Sequence, residues 1–489
     1  MSERCQQQMV RSIRAAGTLL LLCGLLGISI FGCASPPDLT VPAQADAIIS
    51  GVTVINPMAD RFENQSIVIA DGVIRAIRPR LASDPDPICP GCYAIPGLID
   101  AHVHTPPRIA AGTQQLFSLL YLAYGVTTVR DVGASEGSVA DLVDRLNRGD
   151  LVGPRMLRCG PVLDGDPPGW PLARVISNAQ EGREVVAELS AAGVDCIKVY
   201  NEMGIEAFEA IAAAAAREGL PLVGHVPHGV GMERVFDFEA QHMTGVPYLS
   251  RPRPPTGWDL RNEDVIALSD EEVDDALEVA RLHRISFTPT LANFKLRLIA
   301  SDPERFPPTE GSSVLPAYWA KAWDLIAGHP STEEAIALQI EARPIMRSIV
   351  RRAHERGIDI LAGTDTIMPW VVPGEALHLE MAELAKVLGG AEGALAAATT
   401  TNGQHLGRGV LGMIAPGAAA DILLLPGDPT VELGVLRDWR IVFADGRRYD
   451  RSVLDQWVED YRRYFHGWFQ RGIMGPVAGI AASLFSHND

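Results

Sequence analysis

The 489-residue sequence is short of positive charge: 42 Lys and Arg stand against 60 Asp and Glu, a formal net charge of −18. With no basic cluster and no glycine-rich loop ending in Lys-Ser or Lys-Thr, that balance argues against nucleic acid or an anionic lipid surface as partner of the main domain. The chain also lacks low-complexity tracts, and no stretch is disordered by composition. With 47% hydrophobic and 21% charged residues the composition is globular. Its 46 Gly and 35 Pro suit many short connections. The length exceeds one usual core, so one large domain with additions, or two domains, is expected.

Residues 1–33 stand apart. Arg4, Arg11 and Arg14 precede an uncharged run from Ala15 to Pro37, a charged and then an apolar region as in an export signal. The run ends Ile30-Phe31-Gly32-Cys33-Ala34-Ser35, which resembles a bacterial lipoprotein box with Cys33 as the lipidated residue. An uncleaved membrane anchor is the alternative, for which the run is marginal against the ~20 residues a span needs. The expectation is a lipid-anchored, periplasmic or outer-membrane bacterial protein with residues 34–46 as tether. Of the 7 cysteines, Cys5 and Cys23 leave with the signal. Cys89 and Cys92 precede a strand, where a small disulfide fits better than a redox motif. Cys159 and Cys196 sit in apolar strand-like runs and are expected as buried thiols.

Residues 47–94 alternate in strand fashion, with Asp71-Gly72 as a hairpin turn. Their apolar face needs a partner, and the candidate lies at residues 409–450, in Ala420–Leu425 and Arg440–Arg447. A small β-sandwich built from both chain ends is therefore predicted, with residues 95–408 inserted between its halves.

That insert alternates short apolar strands with amphipathic helices. Strands are expected at Leu98–His104, Thr127–Val132, Met156–Gly160, Cys196–Tyr200, Leu222–Val226, Ala240–Thr244, Ser286–Leu291 and Ile358–Thr364. Helices are expected at Gln180–Ala192, Ile205–Glu218, Glu271–His283, Pro344–Glu355 and Glu375–Leu388. Eight strands alternating with helices give the count of an α/β fold of the (β/α)8 TIM-barrel type. A doubly wound open sheet is the runner-up, but it wants a Gly-rich turn after its first strand, and His102-Val103-His104-Thr105-Pro106-Pro107 is not one. The long segment Ala292–Leu338 reads as an excursion over the barrel mouth.

In a parallel barrel the chemistry stands at the carboxyl ends of the strands. Here those ends carry His102 and His104, Lys198, His225, His242 and Asp365. His102 and His104, two apart on a strand, face one way and can share a cation. Each residue alone has a plainer reading: His225 as a hydrogen-bonded core histidine, Lys198 reaching out of the barrel, Asp365 capping a helix. As a set at successive strand ends they point to a metal site.

The run Ile95-Pro96-Gly97-Leu98-Ile99-Asp100-Ala101-His102-Val103-His104 resembles the first-strand signature of the amidohydrolase superfamily. Ile197-Lys198-Val199-Tyr200, Gly224-His225-Val226, His242-Met243-Thr244-Gly245 and Gly363-Thr364-Asp365-Thr366 match its later metal positions in order. Pro373-Gly374 with His378 and Glu380, Ala397-Ala398-Thr399 and Gly412–Ile422 resemble its imidazolonepropionase-like and prolidase-like branch. The resemblance implies two divalent ions, zinc by default, held by His102, His104 and Asp365 on one side and His225 and His242 on the other. Lys198, N-carboxylated, would bridge them together with a hydroxide. Asp365 would serve as general base and then general acid. A single-metal variant with unmodified Lys198 stays open. Many relatives carry an acidic residue where this chain has Gln241.

For substrate, the resemblance implies hydrolysis of dipeptides or N-acyl amino acids. A cyclic amide, lactone or phosphoester on the same site is an alternative, as is a metal-binding surface lipoprotein without activity. Tyr200 would contact substrate, or else pack on the barrel rim. His228 would reach a substrate carboxylate, or else cap a helix. Arg130-Asp131 reads as a structural pair. Residues 451–489 form an aromatic helical tail, with Trp457, Tyr461, Tyr464, Phe465, Trp468 and Phe469 largely on one face. Such a stripe is expected to dock on its own domain or on a twin subunit, a homo-oligomer, with a membrane-surface role as the alternative.

Overall fold

Asp71 and Gly72 hold φ of 53° and 71°, the left-handed pair a tight hairpin needs. They join β2 (Arg61–Ala70) to β3 (Val73–Pro79), and β1 (Ala47–Ile55) pairs with the other edge of β2. The computed structural model that shows this describes residues 35–468 and 470, apart from 60, 107–111, 134–135, 171, 250–260, 317, 320–331, 367, 369 and 407–408. The export signal with Cys33, and Phe469 with the residues from 471 onward, lie outside the described residues.

From β4 (Tyr93–Pro96) the chain runs into a parallel set. β5 (Leu98–Val103), β6 (Val126–Asp131) and β7 (Arg155–Arg158) form one sheet. A second sheet holds β8 (Val162–Asp164), β9 (Arg174–Val175), β10 (Ile197–Val199), β11 (Leu222–Gly224), β12 (Phe238–Gln241) and β13 (Ser286–Thr288). The chain then returns through β14 (Ile422–Leu425), β15 (Ile441–Ala444) and β16 (Arg447–Asp450) to the first strands. Both chain ends thus share one seven-stranded sheet, ordered β16-β15-β14-β4-β1-β2-β3. It curls: Val73 of β3 meets Ala419, just ahead of β14. The curl encloses Val52, Val54, Ile67, Ile69, Ile74, Ile422, Leu424 and Phe443. That core comes from alternate positions of each strand, the period-2 pattern of the sequence.

The parallel strands stop short of one closed ladder. The expected strand Ile358–Thr364 contributes isolated bridges, Ile360 to Phe287 and Thr366 to Val103. Its backbone bonds to both neighbouring strands, Leu361 N to Phe287 O at 2.8 Å and Ala101 N to Ala362 O at 3.0 Å, while Asn402 Nδ2 also donates to Ala362 O at 2.8 Å. A second seam lies where residues 159–161 separate β7 from β8. Arg158 O there accepts from Asp195 N at 2.7 Å, and Cys159 and Cys196 form a disulfide rather than two thiols. Each lies in a run that looks apolar on its own. Their Cα atoms come to 4.3 Å only because β7 and β10 approach. Cys89 and Cys92 are also bonded, as expected.

The helices start where the sequence supplies caps. Asn178 accepts from the Gln180 and Glu181 amides ahead of Ala179–Ala191, and Ser269 with Glu272 makes a capping box ahead of Asp270–Leu282. The helix expected from Pro344 begins eleven residues earlier and runs Glu333–Glu355 with Pro344 inside it. Proline there removes a donor and crowds the carbonyl one turn back, a cost of about 3 kcal/mol that the buried face of this 23-residue helix offsets. The C-terminal helix spans Arg451–His466 and buries Leu454, Tyr461 and Phe465 against its own chain. Its neighbours are the helix Thr113–Ala123 and the turn at 310–314, where Arg462 donates to Ser313 at 3.0 Å. Among the described residues no helix is long and apolar enough to cross a membrane.

Candidate metal centre

His102 and Asp100 alternate with Ala101 along β5, so both carry their side chains to one face, and both are fully buried. His104 follows just past the strand. Its Nδ1 lies 2.7 Å from the Gly133 carbonyl, which turns Nε2 inward. Lys198 is the middle residue of β10, His225 follows β11, and His242 follows β12. Asp365 sits beyond Gly363, where any side chain would run into His102: a Cβ there would lie 2.7 Å from His102 Cβ. Gly224, before His225, holds φ +137°, and a Cβ would lie 2.0 Å from the Val199 carbonyl oxygen. Glycine at these two places lets the strands close on each other.

The ligating atoms converge. His102, His242 and Asp365 each offer an atom within 4.8 Å of the others. Asp365 Oδ1 stands 3.2 Å from His102 Nε2 and 3.3 Å from His104 Nε2, and Oδ2 stands 3.8 Å from His242 Nε2. The His225 and His242 ring centres are 5.1 Å apart. Buried Lys198 brings its Nζ against Gln241 Oε1 and 5.6 Å from the centre of the Tyr200 ring. Tyr200 in turn lies over His225, centroid to centroid 4.1 Å. All six sequence-predicted ligands and Tyr200 therefore surround one region. His228 stands beside them, with Nδ1 3.4 Å from Glu202 Oε1.

Among the described residues neither ring nitrogen of the wholly buried His102 has a partner in hydrogen-bond geometry, although Asp365 Oδ1 lies 3.2 Å from Nε2. Leaving such groups unpaired is costly. A cation among these imidazoles and Asp365 would satisfy them, so the residues fit a divalent metal by donor type as well as by position. Burial pushes His102 down to about 3, so it stands neutral, as a ligand must. Burial also holds His242 well below its usual value. Burial would raise the Asp365 carboxyl, but the His242 and His102 imidazoles outweigh it and hold it well below the carboxylate range. His104 is pulled down by burial and more than restored by Asp365.

Around this cluster stand groups that sequence reasoning missed. His225 Nδ1 is 2.7 Å from Asn201 Oδ1, and His242 Nδ1 is 2.7 Å from Thr290 Oγ1. Each contact orients a ring so that Nε2 faces the cluster. Asn293 donates to Asp365 Oδ2 at 3.0 Å. Asp100 accepts from Thr364 Oγ1 at 2.7 Å and from the His102 and Thr364 amides. Burial pushes Asp100 up to about 7. An ionisable residue two before His102 in an apolar strand was the signal for it. Asn201, Thr290 and Asn293 carry no such signal. Arg130 and Asp131, read as a structural pair, both make buried contacts within the fold. Arg130 reaches across the interior to Glu239 at 2.5 Å, while Asp131 accepts from the Thr105 and Gly133 amides.

His242, Asp365 and Thr290 share one further property: φ of 56°, 59° and 49°. Left-handed backbone at a non-glycine residue costs of order 1–3 kcal/mol and gathers at functional sites.

Comparison with known proteins points to one family. The sequence profile of the amidohydrolase family matches residues 93–449. Adenine deaminase 2 of Rhizobium meliloti (strain 1021) is 26% identical over 193 residues, 37% of this chain and 32% of the deaminase, so the chain spans about a third of that relative. Among solved structures, bottromycin amidohydrolase superposes with a TM-score of 0.66 at 24% identity, covering 89% of this chain and 90% of its own. A Bifidobacterium longum protein with a provisional prolidase assignment gives 0.63 at 24% identity, over 86% of this chain and all of its own. An Xaa-Pro dipeptidase with bound methionine in the active site gives 0.60 at 21% identity, over 83% of this chain and all of its own. At these identities the structures speak for the fold.

Proposed function

The chain belongs to the amidohydrolase family, and from that premise we propose a dipeptide or N-acyl amino acid as its substrate. Family membership makes it a hydrolase acting on carbon–nitrogen bonds. The observation that carries the site is the convergence of His102, His242 and Asp365 within ligand distance around the wholly buried His102 imidazole. The likeness of fold to an Xaa-Pro dipeptidase supports the peptide class over other amides.

His102, His104 and Asp365 would hold one divalent ion, zinc by donor type, and His225 and His242 a second. Lys198, carboxylated at Nζ, would lie between. When bound, the ions would activate water at neutral pH and polarise the scissile carbonyl. Asp365 takes the proton from the attacking water and passes it to the leaving nitrogen, general base and then general acid. Water and amide thereby become carboxylic acid and amine. Asn293, on Oδ2 of Asp365, sets the carboxylate's orientation. Thr290 and Asn201, at Nδ1 of His242 and His225, hold the rings with Nε2 towards the cluster. Tyr200, stacked on His225, walls one side of the substrate space.

In this reading the parallel strands are those of a (β/α)8 barrel, with the seven-stranded sheet of both chain ends packed beneath as a β-sandwich. The chain is placed at a bacterial envelope by lipid on Cys33. The test is metal analysis of the protein without residues 1–33, followed by a screen of dipeptide, N-acyl amino acid and lactone libraries. About two ions per chain and turnover of free-carboxylate peptides support the reading. Turnover confined to lactones or cyclic amides overturns the substrate class.

A further inference from the structure

Asp164 ends β8 at the carboxyl edge of the parallel strands and takes no part in the chemistry above. It is fully buried, and its partners are backbone amides. Oδ1 accepts from Gly165 at 2.9 Å and from Glu202 at 2.7 Å, Oδ2 accepts from Gly169 at 2.7 Å, and the Trp170 amide donates to it as well. A carboxylate has about four acceptor positions, which suits a cradle of amides. One side chain thus ties the loop after β8 to the segment after β10. The fit is close, since a Cβ at Gly165 would collide with the Glu202 carbonyl oxygen.

The segment held in this way is the one that reaches the metal centre. Tyr200 lies over His225, at 4.1 Å between ring centres, and Asn201 Oδ1 stands 2.7 Å from His225 Nδ1. Leu163 pairs with Val199, so Asp164 and Tyr200 come next to each other in register. The loop meets the Tyr200 ring at Gly169. A Cβ there would make ordinary contacts, 3.5 Å from Tyr200 Cδ1, 3.5 Å from Asn201 Cβ and 3.4 Å from Asp164 Oδ2. Gly169 is exposed and its φ lies outside the left-handed region, so neither backbone strain nor crowding at Cβ requires a glycine. What the glycine leaves is room along the edge of the Tyr200 ring. The rest of the loop supplies apolar surface: Trp170, Leu172 and Val175 are 38%, 61% and 38% exposed, close together in the chain.

We propose that Gly169 determines specificity: with no side chain at the edge of Tyr200, it leaves a subsite for an apolar group of the substrate. This rests on the hydrolase reading above, in which Tyr200 walls the substrate space, and adds what that wall receives. The apolar group belongs either to the amino-acid side chain or to the acyl part of the amide. In both cases it lies against the Tyr200 ring while the scissile carbonyl stands at the metal centre, and it binds by the apolar area it removes from water. Asp164 keeps the loop at a fixed distance from Tyr200, so the fold sets the width of the subsite. Its depth is set at position 169, where a side chain would compete with the substrate for the same space.

Two measurements on the zinc-loaded chain test it. In the first, kcat/KM is read by release of the free amino acid from N-acetylglycine, N-acetyl-L-leucine and N-hexanoylglycine. N-acetyl-L-leucine enlarges the amino-acid side and N-hexanoylglycine the acyl side. The wild type is expected to favour at least one of the larger substrates over N-acetylglycine by roughly tenfold or more, the worth of burying a few methylenes. In Gly169→Leu that preference should collapse towards one. In Gly169→Ala, whose Cβ makes only ordinary contacts, it should fall part of the way. The arm that responds names the side on which the apolar group lies. A wild type without preference on either arm overturns the proposal. Equal losses on all three substrates in both variants also overturn it, because they would assign Gly169 a structural role. The second measurement needs no turnover: calorimetric binding of L-leucine against glycine, and of hexanoate against acetate. The larger member of the responding pair should bind the wild type about tenfold more tightly, and Gly169→Leu should erase the difference. A difference that persists in Gly169→Leu places the apolar subsite elsewhere, and the proposal falls. If the difference appears and is erased as expected while no N-acyl amino acid is cut, the substrate class has failed and the subsite stands.

Discussion

Thr290 Oγ1 lies 2.7 Å from His242 Nδ1, and the two residues share left-handed backbone, at φ 49° and 56°. They stand at the ends of adjacent parallel strands, β13 and β12, whose pairing Gln241–Thr288 fixes their separation. The contact settles which imidazole nitrogen faces the metal centre, without placing another charge in it. Removing an outer partner of a metal-ligating histidine typically weakens metal affinity about 10- to 100-fold. Thr290→Val keeps the branched shape and removes the hydroxyl. Its zinc affinity, read by chelator competition, is expected to fall in that range while the melting temperature of the metal-free chain stays near wild type. Unchanged zinc affinity would mean that the hydroxyl does not orient His242.

Asp365 is offered both as a ligand and as the group that moves the proton, and Asp365→Asn separates the two. The amide keeps an oxygen able to ligate but cannot accept a proton at neutral pH. The variant should retain at least one ion per chain, held by the remaining imidazoles, and lose roughly 10²–10⁴ in kcat, the usual worth of general acid–base catalysis. A variant that turns over at the wild-type rate would remove Asp365 from the mechanism.

The clustering of the candidate ligands was legible in the sequence because it depends on position along single strands. His102, His104, His225, His242 and Asp365 each lie at or just past the end of an apolar run, and Lys198 lies within one; a parallel fold brings such ends together whatever lies between. The orienting groups were not legible. Asn201, Thr290 and Asn293 lie in loops or a first helical turn, and only the approach of other strands gives each its partner. The Cys159–Cys196 bond was hidden for the same reason, since 37 residues separate two apolar runs that meet only in the fold. Ile358–Thr364 looked like a full strand because periodicity reports burial, not pairing. It bonds to β5 and β13 at scattered points, and Asn402 adds a side-chain donor to Ala362 O.

Glu380 gives the fold a pH dependence of known sign. It lies in the helix Glu375–Leu384, is fully buried, and its Oε2 accepts from the Ala292 amide at 2.6 Å, capping the helix that carries Asn293. Burial pushes its carboxyl up to about 8, against ~4.3 for an unfolded glutamate. Between those values the folded chain keeps a proton that the unfolded chain has released, so stability falls as pH rises from about 4 to about 8. Glu380→Gln stays neutral throughout. Its melting temperature relative to wild type should therefore climb between pH 5 and pH 8; a pH-independent difference would place the Glu380 titration outside this window.

The Cys159–Cys196 bond stitches the seam between the two parallel sheets immediately beneath Lys198, two residues beyond Cys196. Both cysteines are buried, at 0% and 1% exposure, so a reductant reaches the bond only when the chain opens. The bond closes a loop with a sequence separation of 37, for which the chain-entropy relation gives about 4 kcal/mol of stabilisation. The double variant Cys159→Ala, Cys196→Ala should lose stability of that order in denaturant unfolding. It should also loosen the register between β8 and β10 that sets Lys198 opposite Val162. The two effects can be told apart. If the bond acts only on the unfolded chain, zinc affinity of the folded double variant equals that of wild type. If it also holds the strand register, zinc affinity drops together with stability. Thiol titration of the denatured wild type decides the premise: free thiols at Cys159 and Cys196 in protein made under oxidising conditions would remove the bond from the account.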